Sequence, residues 1–260
     1  MHLFESDSQE LSGWIRDEVE LQKPLGHGNR GKAVRRLQEW LNLRGFGLVV
    51  DSDFGPVTAQ AVSRFQASAR LPTTGRLDEA TFGQLVSPMV RTLRRPRRGR
   101  ASLGAMIVDC GKRHLSERPI ETGGENRGPW VRLYMQGNDG AAWAWCAGFV
   151  RFLLEQARQK LEKPMPIAGS LSCDSLAAQA RDAGLFVAEG AVAHEAIPPG
   201  SFFLVRRTAT DWTHVGVVTR SGPDAFDTIE GNTNDKGSRD GFEVCARTRG
   251  YKNKDFIVWT

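Results

Sequence analysis

The chain has 260 residues, 40% of them hydrophobic and 25% charged, with a formal net charge of +5. That is the composition of ordinary folded domains, with room for two, and it excludes a low-complexity or disordered chain; no stretch approaches the roughly 18 apolar residues of a membrane span. Six arginines crowd into Arg91 to Arg100, more than the whole net charge, so the basic balance is local and the rest of the chain is close to neutral.

Met1 to Gln22 sets acidic residues among Leu3, Phe4, Leu11, Trp14, Ile15 and Val19 and lacks the basic start and apolar centre of a secretory signal. Residues 1–25 therefore read as an amphipathic arm packed on a domain. A small helical domain follows over 26–90. Ala33, Val34, Leu37, Leu41 and Leu43 predict one helix, stopped near Gly45; Thr58 to Ala69 predicts a second, and Asp78, a natural N-cap, opens a third that runs to Leu85. Asp51 and Asp53 fall in a turn and lack the closing glutamate of a calcium loop, so they read as turn and capping residues.

Residues 91–102 form a linker whose arginines suit either a solvated hinge or attraction to an anionic surface. Nucleic acid is the weaker partner for them, since neither flanking segment offers a base-reading or stacking platform. The third segment, 103–260, starts with a helix through Leu103, Met106, Ile107 and Cys110. After the polar loop Glu121 to Arg127, Val131 to Met135 lead toward a long helix ending near Leu161, and Asp174 to Ala183 form another. From Ser201 the period changes to two, predicting strands at 202–205, 215–219, 226–230, 242–247 and 256–259. Helices packed on an antiparallel meander make an α+β domain.

The candidate site centres on Trp143-Ala144-Trp145-Cys146-Ala147-Gly148-Phe149-Val150. Cys146 follows a Gly/Asn/Asp turn and precedes Phe149, Val150, Phe152, Leu153, Leu154 and Ala157 at helical spacing, which puts it at a helix start. Unpaired N–H groups and the positive dipole end stabilise a thiolate there, although an inert buried thiol fits the same position. A cysteine hydrolase also needs a base and a group to orient it. His214 near the start of a predicted strand supplies the first, and Glu230 or Asn232 at the end of the next supplies the second. Trp143 and Trp145 flank the cysteine as walls of a substrate groove or as core. Cys110, Cys173 and Cys245 are widely spaced and read as buried and reduced; His2, His27, His114 and His194 read as structural or exposed. No metal-ligand spacing is present, and the chemistry needs no cofactor.

Two resemblances follow from these residues. Val34-Arg35-Arg36-Leu37-Gln38, Asp53-Phe54-Gly55, Thr58, Ala61, Phe65-Gln66, Gly75, Asp78, Thr81 and Leu85 together resemble the three-helix peptidoglycan-binding domain. Trp145-Cys146-Ala147-Gly148-Phe149-Val150, His214-Val215-Gly216-Val217-Val218 and Ile229-Glu230-Gly231-Asn232 resemble the cysteine, histidine-dependent amidohydrolase/peptidase (CHAP) domain, a relative of NlpC-type and papain-like peptidases. The lead-in Glu125-Asn126-Arg127-Gly128-Pro129-Trp130-Val131-Arg132-Leu133-Tyr134 resembles one branch of it. The chain departs in having Ser201 after Pro199-Gly200, where that family often has aspartate.

The resemblances imply a papain-like catalytic domain beside a wall-binding one, and a peptidoglycan hydrolase cutting an amide bond in the peptide portion by a Cys146–His214–Glu230 mechanism. The bond is either the muramoyl-L-alanine link or one within the peptide. An inactive wall-binding or scaffolding protein is the alternative, and a nucleic-acid-associated protein a more distant one. Without a secretory signal, such an enzyme reaches the periplasm or wall by a holin-dependent route, as endolysins do, or by injection as an antibacterial effector, which pairs with an immunity protein.

Overall fold

The computed structural model describes residues 11–94, 102–191, 193–233 and 241–259. Eight helices and a six-stranded antiparallel sheet make an α+β architecture among them. Most of the arginine-rich stretch lies outside the described residues, while Arg91, Thr92 and Leu93 close a helix.

The first four helices are α1 (Gly13–Val19), α2 (Lys32–Leu43), α3 (Pro56–Ser68) and α4 (Glu79–Leu93). Two buried glutamines explain most of the landmarks in this part. On α2, the Gln38 amide donates to Asp51, to the Asp53 carbonyl and to Thr58, and its carbonyl accepts from the Ser52 N–H. On α3, Gln66 does the same with Thr74, the Arg76 carbonyl and Thr81, and accepts from the Thr74 and Gly75 N–H groups. Each glutamine thus satisfies the polar groups of the loop that follows its own helix, which lets both loops pack against apolar neighbours. Asp51 serves the turn, and Asp78 caps α4 by accepting from the Thr81 N–H at 2.8 Å.

Helix α4 continues two turns past the expected end at Leu85, through Pro88. The carbonyl of Gln84, which the ring denies its usual N–H partner, accepts instead from the Ser87 hydroxyl at 3.0 Å. Met89 and Leu93 extend the buried face, so tertiary packing overrides the proline.

The remaining helices are α5 (Leu103–Glu117), α6 (Pro129–Tyr134), α7 (Cys146–Leu161) and α8 (Cys173–Asp182). The lead-in segment is thus itself a helix, opened by Pro129, whose missing N–H costs nothing in the first turn. Helices α5, α7 and α8 pack on the sheet, whose strands are β1 (Phe186–Val187), β2 (Phe202–Thr208), β3 (Asp211–Ser221), β4 (Ala225–Thr233), β5 (Glu243–Gly250) and β6 (Lys254–Ile257). Their order is β1-β6-β2-β3-β4-β5. The meander expected from sequence holds for β2 to β5, but β6 returns to the far side of β2 and pairs there with a two-residue strand too short to show a period. Ser201 closes a turn onto β2, donating its N–H to the Pro198 carbonyl and accepting from the Val218 N–H.

The helical segment and the sheet-bearing segment share one continuous apolar core, in which Trp40 of α2 meets Trp130 of α6 edge to face at 6.2 Å. Buried charge fastens the same junction. Arg132 of α6, 7% exposed, donates to both carboxylate oxygens of Glu18 on α1 at 2.7 and 3.0 Å, to Glu39 on α2 at 2.6 Å and to Asp139 at 2.8 Å. Arg35 bridges Glu39 and Asp139, and Arg36 reaches Glu18, so three guanidinium groups face three carboxylates. Helix α1 is thereby docked on both segments, with Ile15 wholly buried. Removing the central cation leaves Glu18 and Glu39 short of a partner in the dry interior. Arg132→Met is expected to lower unfolding stability by on the order of 3 kcal/mol; an unchanged urea midpoint would show that the network does not hold the junction.

Candidate functional site

Cys146 is the first residue of α7, as its spacing predicted, and no side chain caps that helix. Close packing fixes where the helix begins. A Cβ on Gly148 would come within 2.4 Å of the Met135 sulfur, and one on Gly231 of β4 within 2.7 Å of the Trp145 ring. Only glycine at both positions lets the first turn of α7 settle between α6 and β4. The backbone just before the cysteine is held by Asn232, whose carbonyl oxygen accepts from the Trp145 N–H at 2.8 Å.

That bond corrects one expectation. Asn232 does not orient the histidine: its amide also donates to Asn126 and the Gly241 carbonyl, and no bond runs from it to His214 among the described residues. The register shift between Glu230 and Thr233, with φ of 55° at Asn232, turns its side chain toward α7.

Trp145 corrects another. It is fully buried, stacks on Tyr134 at 5.5 Å and 15°, and donates its indole N–H to Glu121 at 2.8 Å; it is core, not a groove wall. Trp143 is half-buried against that core, and the small Ala142 and Ala144 beside it line the cleft. Glu121 comes within reach because its backbone N–H pairs with the Phe242 carbonyl beside β5. Its burial pushes the carboxyl up, against the pull of the Trp145 and Asn126 N–H groups.

His214 and Glu230, from neighbouring strands β3 and β4, meet at 2.8 Å between Nε2 and the carboxylate. The other ring nitrogen is left for Cys146, which is near enough for the thiol and the imidazole each to shift the other's proton affinity. Glu230 is wholly buried and accepts from Thr228 at 2.6 Å and from Arg249 at 2.7 Å, with a second guanidinium bond at 2.5 Å. Burial alone would raise its pKa; Arg249 first, then His214, more than reverse that and hold it at about 2. Burial likewise works against the imidazolium, but the Cys146 sulfur and Glu230 lift His214 to about 9. The Cys146 thiol falls well below its ordinary value, chiefly through a hydrogen bond from Cys173, against burial and with the help of His214.

The result is a chain of alternating charge from Arg249 through Glu230 and His214 to the Cys146 sulfur. Cys146 lines a cleft of about 360 Å³ together with Glu121, Glu125, Asn126, Thr213 and Asn232. Chemically the site offers an ionised sulfur, a protonated imidazole able to deliver a proton, and an ionised acid to fix its ring.

Three participants were not singled out in the sequence. Arg249 is one arginine among several on a strand of alternating exposure; only the requirement that a buried Glu230 have a cation points to it. Glu121 sat in a segment read as a polar loop. The wide spacing of Cys173 marks it only as a buried, reduced thiol, although Ser172 is a good cap and makes it a first helical residue. Of the other cysteines Cys110 is buried as expected, with its thiol pushed up to about 12 by burial, while Cys245 is only partly so. His114 is structural: wholly buried between Tyr134 and Gln156, and held by burial at about 3.

Comparison with known proteins bears first on the class. Residues 30–85 match the family model described as "Putative peptidoglycan binding domain". Among curated proteins, the zinc D-Ala-D-Ala carboxypeptidase of Streptomyces albus G is 38% identical over 66 residues, which is 24% of this chain and 25% of that protein. The chain thus spans about a quarter of the relative it matches. Among the described residues, no three His, Cys, Asp or Glu side chains stand together as a metal site, and none of the helices is long and apolar enough to cross a membrane.

Glu230→Gln removes the charge that supports the imidazolium. The His214 titration, followed by NMR, is expected to move down from about 9 by roughly one unit or more; an unmoved titration would mean that the carboxylate does not act on the ring.

Proposed function

We propose that the protein is a peptidoglycan hydrolase, with Cys146, His214 and Glu230 as its catalytic residues, cleaving an amide bond in the peptide portion of the wall. The observation that carries this reading is the hydrogen-bonded run Arg249–Glu230–His214 ending beside the Cys146 thiol at the edge of a cleft, in a chain that also holds a match to a peptidoglycan-binding domain. A helix opening on a cysteine and packed on an antiparallel sheet that supplies histidine and acid is the layout of the CHAP and papain-like domains, which supports assigning 103–260 to that class and 26–90 to the wall-binding module.

In this mechanism the Cys146 thiolate attacks the amide carbonyl and His214 donates its proton to the departing amine. Water, deprotonated by the imidazole, then releases the acyl group from sulfur. Glu230 keeps the ring in the productive tautomer and stabilises its charged form. The amide N–H of Cys146, in the uncapped first turn of α7, meets the tetrahedral oxyanion, a contact worth roughly 3 kcal/mol in such sites. The substrate places the site of action in the periplasm or wall.

Incubation of purified sacculi with the protein is expected to release soluble fragments whose new termini, read by mass spectrometry, name the bond cut. Cys146→Ser is expected to abolish release, and His214→Ala to slow it by about 10³-fold or more. The wild-type kcat/KM should fall with a midpoint near 9 as His214 loses its proton, the active form being the ion pair. Binding without release by the wild type would leave a wall-adhesion protein.

A further inference from the structure

The site contains a second thiol that the hydrolytic mechanism does not consume. Cys173 is the first residue of α8, behind its Ser172 cap, and its sulfur lies 3.8 Å from that of Cys146. Two helix starts thus converge, each placing a sulfur at the same point, from positions 27 residues apart in sequence. Cys146, 5% exposed, is a lining residue of the cleft, whereas Cys173, 8% exposed, is not among the residues that line it.

We propose that Cys146 and Cys173 are a redox pair: hydrogen peroxide that enters the cleft oxidises Cys146, and Cys173 resolves the product to a disulfide that switches the enzyme off reversibly. The thiolate of Cys146 attacks one peroxide oxygen; an S–O bond forms, the O–O bond breaks, and the departing oxygen leaves as water after taking a proton from His214. Cys173 then loses its proton, its sulfur attacks the sulfur of the sulfenic acid, the S–S bond forms and a second water leaves. Two electrons pass from the two thiols to one peroxide, and a dithiol reductant reverses the change.

The order of events is built into the charges. In the reduced site the neighbouring thiolate first, and burial second, hold the Cys173 thiol protonated, so Cys173 is a hydrogen-bond donor and a poor nucleophile. Conversion of Cys146 to a neutral sulfenic acid removes the charge that keeps that proton in place. A disulfide needs its sulfurs about 2.05 Å apart, so the pair must close by a little under 2 Å. Without Cys173, the sulfenic acid is open to further peroxide and passes irreversibly to sulfinic acid.

The proposal rests on the hydrolase reading only for the loss of activity; the bond itself is read by mass. Full-length protein is treated with hydrogen peroxide, digested without reductant and mapped. The expected result is a Cys146–Cys173 linked peptide about 2 Da lighter than the two reduced peptides together, with wall hydrolysis lost and then restored by dithiothreitol. In Cys173→Ser and Cys173→Ala, checked for folding by circular dichroism, peroxide is expected to give Cys146 sulfinic acid and a loss that dithiothreitol does not reverse. Wild-type protein that forms no linked peptide and is oxidised to sulfinic acid as readily as the variants would overturn the proposal. A linked peptide in a protein that never hydrolyses sacculi would sink the hydrolase reading and leave the redox pair intact.

Discussion

A carboxylate with no exposed surface, Glu230, dictates the arrangement around it. Arg249, Thr228 and His214 all point at its two oxygens, and each comes from a different position on three adjacent strands. The sheet register must therefore be held closely, because a slip of one residue on β3 or β4 would turn His214 or Glu230 to the opposite face. With Arg249 neutralising one side, the carboxylate can sustain a charged imidazole on the other, and that imidazole can sustain an ionised sulfur. Ionisation of Cys146 is thus partly a consequence of a cation on β5 that the cleft does not expose.

The helix bearing that sulfur is located by a second set of contacts with a different logic. Asn232 grips the backbone before Cys146, Glu121 grips the Trp145 indole, and Gly148 and Gly231 admit the helix at a distance no other residue allows. Strand β4 contributes to both sets, with Glu230 serving the base and Asn232, two residues on, serving the nucleophile. The irregularity between them makes this division possible. A thiol and an imidazole are thereby brought together from opposite layers of the fold.

Much of this was legible in the sequence, for identifiable reasons. The helical period around Cys146 and the two-residue period around His214 and Glu230 are direct consequences of burial on one face, so the element that carries the thiol, the imidazole and the carboxylate could be read off. The roles of Asn232 and Trp145 could not. A strand irregularity redirects the first, and the second is claimed by Tyr134 and Glu121 from elsewhere in the chain. Arg249 and Cys173 were hidden for a similar reason, since their significance lies in whom they face. The continuous core joining the helical and sheet-bearing segments was equally invisible, because apolar periodicity marks that a face is covered and not by what. The arginine-rich stretch suits a hinge or attraction to an anionic surface, yet the segments pack together both at its ends, through α4 and α5 with Arg91 on Glu117, and far from it in sequence, through α1, α2 and α6.

The buried Arg132 cluster has a geometric corollary. Three acids and three arginines interlock across the junction and tie the helical module to the sheet-bearing segment. On the hydrolase reading proposed above, such a protein would act as a gauge with fixed jaws, reaching those peptides that project from the glycan at one span and angle from the point of attachment. Selectivity among chemically identical bonds would then come from the spacing of the mesh itself.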